Sequence, residues 1–122
     1  MSKARLDKRR QERIQWEIVP DAHDSEERAM GWHAYLEDQM HVPFTATCTA
    51  QREISPLRKG EVVTVNALAS AEECEQEIFV SVSMEERTLA VPLAQLDAMH
   101  ADRETRQAVA DWHYWVEQGC EF

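Results

Sequence analysis

"FTATCTA", residues Phe44–Ala50, alternates apolar and hydroxyl side chains without a break. Successive side chains of a strand point to opposite faces, so Phe44, Ala46, Cys48 and Ala50 share one face and Thr45, Thr47 and Thr49 the other. That is a half-buried strand, and a strand needs partners. They follow in the chain. Glu61–Ala69 leaves the Lys59-Gly60 turn with Val63, Val65 and Ala67 inward. Glu77–Met84 puts Ile78, Val80 and Val82 on one face. Arg87–Val91 returns from the Glu85-Glu86 turn, and Pro92 stops it or confines it to a sheet edge. "LAQLDAM" (Leu93–Met99) then predicts a short helical turn.

Helices flank this run. Asp24-Ser25-Glu26-Glu27 reads as a helix start, with Asp24 as N-cap and Glu27 placed for a capping box. The helix is expected to reach Asp38, burying Met30, His33 or Tyr35, Leu36 and part of Trp32, before Val42-Pro43 ends it. A last helix is expected from the N-cap Asp102 to Gln118, with Gly119 as the C′ residue. Its inward stripe is Thr105, Val109, Trp112 and Val116, with Ala108 and Trp115 beside it. Residues 3–17 carry only a weak apolar stripe, which predicts a frayed helix or flexible arm. Consecutive antiparallel strands between helices give an α+β class. The expected sheet has four to five strands curled into a small barrel-like, SH3-like form, because lone flat strands leave edges exposed. At 122 residues the chain is the size of one domain, expected over 21–122 behind an arm at 1–20.

Charge narrows the function. Residues 1–13 hold six Lys/Arg and two acids, net +4, which leaves the other 109 residues at −14. So acidic a body repels phosphate backbones and favours cations or basic partners, so no nucleic acid is expected. No run approaches a membrane span, and the basic start lacks the apolar region of a signal peptide, so neither membrane nor export is expected. Cys48, Cys74 and Cys120, odd in number and scattered, suit a reducing cytoplasm with buried thiols. The sequence has no EF-hand loop, no Cys-x-x-Cys, no His-Glu-x-x-His and no Gly-rich phosphate loop. Both strand-borne thiols read as core, and the five dispersed histidines as surface or packing residues, so no enzyme is expected.

The carboxylates separate by position. Asp24, Glu26 and Glu27 sit at a helix N-terminus, where capping and the macrodipole favour negative charge. Glu37 and Asp38 sit at the other end of that helix, where the dipole opposes them by about 0.3–1 kcal/mol each. Free terminal carbonyls lie beside them, and carboxylates with carbonyls are what Ca²⁺ uses. "EECEQEIFV" (Glu72–Val80) crowds more acids at a strand entrance. Extended, it would put Glu73, Glu75 and Glu77 on one face about 6.6 Å apart, too far for one strand to encircle an ion. A second segment or water must complete such a site. Otherwise the run is a solvated edge that blocks aggregation.

Several strings occur in one order: "DAHDSEERAMGWHAYLEDQMHVPFTATC" (Asp21–Cys48), "SPLRKGE" (Ser55–Glu61), "EECEQEIFV", "RTLAVPLAQL" (Arg87–Leu96) and "DWHYWVEQGCEF" (Asp111–Phe122). Together they resemble the cyanobacterial-type calcium-binding protein family, small acidic proteins without EF-hands. The resemblance implies a small barrel-like sheet and Ca²⁺ held by surface acids. Within the matching strings the expected ligands are Asp38 and Glu37 as one group, and Glu75, Glu77 and Glu73 as another. The expected role is a cytoplasmic Ca²⁺ buffer or sensor. The alternative is an acidic interaction module that docks a basic partner.

Overall fold

A computed structural model describes residues 7–19, 24–74 and 76–118. The alternating stretch forms strand β1 (Phe44–Cys48), with Phe44, Ala46 and Cys48 buried between half-buried threonines. β2 (Val62–Leu68), β3 (Phe79–Met84), β4 (Arg87–Pro92) and β5 (Leu96–His100) complete an antiparallel sheet ordered β4-β3-β2-β1-β5. The class is α+β as the pattern requires, and the sheet is open, with β4 and β5 as its edges. Pro92 lies on an edge strand, where its missing N–H costs no ladder bond.

Two sheet details depart from the alternation. The β2–β3 register shifts between Val65 and Ala67, so Ala67 is exposed and Leu68 packs on the core instead. A bulge of this kind flips every later side chain to the other face. Leu93–Met99 is not one helical turn: a 3₁₀ turn covers Leu93–Gln95, and β5 begins at Leu96. β1 has a second edge to satisfy, and pairing it with β5 outweighs the helix propensity of these residues.

Helix α2 (Ser25–Gln39) starts where expected, with Asp24 Oδ1 accepting from Glu27 N at 2.9 Å. It buries Ala29, Trp32 and Leu36, whereas Met30 is 62% exposed. α3 (Arg103–Glu117) is capped by Asp102, and its buried stripe of Thr105, Ala108, Val109 and Trp112 also takes in Asp111 and Tyr114. Trp32 of α2 stacks edge-on against Trp112 at 5.1 Å and lies 5.6 Å from Trp115. Gly119 lies outside the described residues.

Residues 8–18 are docked, not frayed. α1 (Lys8–Arg13) runs into a π-helical turn at Ile14–Ile18, whose two isoleucines are core residues. Its anchor is Asp111, a fully buried carboxylate. Arg10 Nε lies 3.0 Å from Asp111 Oδ1, Arg13 pairs with the same oxygen, and Tyr35 OH donates to Oδ2 at 2.7 Å. One carboxylate thus joins α1, α2 and α3. Burial pushes the Asp111 carboxyl above the usual carboxylate range, against the pull of Tyr35 and both arginines. Burial and the Asp111 charge push Tyr35 up to about 12. The anchor is also steric: a Cβ at Gly31 would stand 2.3 Å from the carbonyl oxygen of Ile18, so the π turn sits directly on α2.

Candidate functional site

The last turn of α2 contains no basic residue, and Glu37 and Asp38 stand there exposed to solvent. They face the negative end of the dipole and the helix's free carbonyls. Asp38 Oδ2 accepts from Gln39 Nε2 at 2.7 Å. Glu37 Oε2 lies 3.6 Å from His33 Nδ1, while His33 Nε2 donates to the Ala69 carbonyl at 2.8 Å. His33 therefore fastens this half of α2 to the chain just past β2, where the second group of acids begins.

That second segment is not extended. Residues 71–74 form a turn, with Cys74 N donating to the Ser70 carbonyl at 3.1 Å. Ser70 Oγ accepts from Glu73 N at 3.3 Å and donates to Glu73 Oε1 at 3.2 Å, so one hydroxyl closes the turn from both the backbone and the side chain of Glu73. The turn points Cys74 into the core, where burial raises its thiol pKa. β3 accordingly starts at Phe79 and not at Glu77. Glu73 is exposed, and Glu75 lies outside the described residues. The Glu77 side chain is only 22% exposed and is ion-paired with Arg52 of the β1–β2 loop.

The structure ties the middle of α2 to Ala69 through His33, and sets Ala71, Glu72 and Gln76 against Ser25, Glu26, Ala29 and Met30 in the first half of that helix. It directs Glu77 to Arg52, so among the described residues it does not bring the Glu37–Asp38 end together with the second group. Among the described residues, Glu37, Asp38, Glu73 and Glu77 do not place any three carboxylate oxygens within 4.8 Å of one another. Their chemistry fits Ca²⁺: exposed oxygen donors, two of them at a helix C-terminus, with water to fill the rest of six to eight positions. A rigid cage is absent from this set.

Three ligand-type side chains do converge elsewhere, at His41, Asp102 and Glu104, all exposed. Asp102 and His41 in this cluster have structural partners. Asp102 caps α3, its Oδ1 accepting from Thr105 N at 2.8 Å and its Oδ2 lying 2.6 Å from His41 Nδ1. His41 N also donates to Thr105 Oγ1 at 2.8 Å. The Thr105 bonds and His41 hold the Asp102 carboxyl down at about 2, and the Asp102 bond raises His41. Both oxygens are in use, the positive end of a helix dipole lies behind them, and an imidazole nitrogen is a poor donor for Ca²⁺.

Sequence reasoning missed three participants. Ser70 was legible, since Ser70-Ala-Glu-Glu73 is a capping-box string. His33 and Arg52 were not, because their partners are 36 and 25 positions away.

The calcium-binding CcbP family model matches residues 12–116 of this chain. The fold is similar to the crystal structure of Anabaena CcbP, at 33% identity and a TM-score of 0.86 with both chains covered in full. It is similar too to a calcium binding protein in its calcium-binding form, at 32% identity and a TM-score of 0.87, again over 100% of each chain. No curated protein sequence matches.

Proposed function

This chain belongs to the calcium-binding CcbP family, and we propose that it binds Ca²⁺ through Glu37 and Asp38 together with Glu73, Glu75 and Glu77, as a cytoplasmic buffer or sensor without catalysis of its own. The observation that carries this reading is the last turn of α2, where two exposed carboxylates stand against the dipole with no basic residue to offset them. A cation there relieves the opposition of the helix dipole. The ion's contribution is electrostatic. The chain's contribution is to present exposed oxygen donors at the end of α2 and in the turn before β3. A site completed by water on exposed side chains binds modestly, which suits an ion that must be released.

The experiment is calorimetric titration with Ca²⁺. Asp38→Asn, and Glu73→Gln combined with Glu77→Gln, are each expected to weaken binding. Glu26→Gln, at the opposite end of α2 where structure already explains the acid, is expected to leave it unchanged. Equal losses in all three variants would mean a diffuse ion atmosphere in place of a site.

A further inference from the structure

Of the proposed ligands that are described, Glu77 is the one that already holds a strong cation. Its carboxylate pairs with the guanidinium of Arg52, and the two side chains are 22% and 37% exposed. Glu37, by contrast, is 72% exposed. Arg52 does not reach Glu77 from a loose loop. The β1–β2 connection is pinned by Cys48 N to the Glu61 carbonyl at 2.8 Å and Gly60 N to the Cys48 carbonyl at 2.7 Å. Fully buried Leu57 anchors its middle, and Ser55 N donates to the Arg52 carbonyl itself at 3.1 Å. The guanidinium is therefore presented to Glu77 in place.

We propose that Arg52 is a built-in competitor of Ca²⁺, so that the ion gains Glu77 only by displacing the guanidinium. This rests on the reading of Glu77 as a ligand. A guanidinium and a divalent cation repel each other at one carboxylate, so the two occupants exclude one another. The apparent affinity is then the intrinsic affinity reduced by the fraction of molecules with Glu77 free. Displacement also has an outcome of its own. It frees the Arg52 guanidinium two residues from Ile54, which is 59% exposed.

Arg52→Gln is expected to tighten Ca²⁺ binding by about two- to fivefold, the range that release of a half-exposed ion pair allows. Arg58→Gln, an exposed neighbour on the same loop, removes the same charge and sets the baseline. The gain over that baseline is expected to vanish when Glu77→Gln is also present. In the wild-type protein the Arg52 side-chain Nε–H resonance is expected to shift saturably with Ca²⁺, a readout that needs no variant to fold. If Glu77→Gln weakens binding but Arg52→Gln matches Arg58→Gln, and the resonance stays still, the competition is overturned and the site stands. If Glu77→Gln leaves binding unchanged, Glu77 is not a ligand and the competition falls with it.

Discussion

At the scale of single residues, the molecule is organised by charges that find partners far along the chain. Asp111, Glu77 and Asp102 each meet a cation from another element: Arg10 and Arg13, Arg52, and His41. None of these pairs leaves a local pattern, which is why acids could be sorted by helix position in the sequence while their partners could not be named. His41 and Asp102 give the pair a pH signature. The His41 value is raised above 6.5, so its contribution is complete below 6.5 and is lost as pH rises through the folded value. Asp102 is lowered from 3.8 to about 2, so its contribution holds above 3.8 and is lost as pH falls toward 2. The clamp is at full strength between those limits. The melting temperature of His41→Asn is expected to lie furthest below wild type between the two limits, at about pH 5, and the gap to narrow as pH rises through the raised His41 value. A gap that is constant with pH would mean that the ring acts by packing alone.

At the scale of elements, periodicity was informative wherever the chain obeyed it. The inward residues of β1, the caps of α2 and α3, and the edge position of β4 all follow from spacing and from single residues such as Asp24, Asp102 and Pro92. Where one extra residue bulges at β2, or where β1 demands a second neighbour, local propensity loses to pairing. The Glu73 turn failed for another reason: a polar cap can override the extended reading of an acidic run. Gly31 marks a contact between elements that no periodicity reveals. In a helix interior Gly→Ala ordinarily stabilises by up to about 1 kcal/mol. Here the new methyl would meet the Ile18 carbonyl at 2.3 Å, so Gly31→Ala is expected to destabilise by about 1–3 kcal/mol through loss of the π turn's seat. Urea denaturation measures it, and a stabilised variant would show that the turn moves aside without cost.

At the scale of the whole molecule, a formal charge of −10 on 122 residues makes the folded state repel itself. Salt screens that repulsion for any cation, but only a bound ion adds linkage to the native state. At ten times the dissociation constant the linkage is about 1.4 kcal/mol, or roughly 5 °C in melting temperature for a domain of this size. Calcium chloride is therefore expected to raise the melting temperature above sodium chloride of equal ionic strength, and Asp38→Asn to shrink the difference. Identical curves in the two salts would remove specific binding from the account.

The four tryptophans carry a last consequence. Trp32 and Trp112 are sealed in the core with Trp115 against them, whereas Trp16 is 74% exposed on the far side of the π turn. The intrinsic emission of the protein is thus the sum of a red-shifted, quencher-accessible indole and a blue-shifted trio clustered on α2 and α3. Replacing Trp16 by Phe silences the first without entering the core. What remains is an unlabelled optical probe whose central fluorophore rides on the helix that presents Glu37 and Asp38.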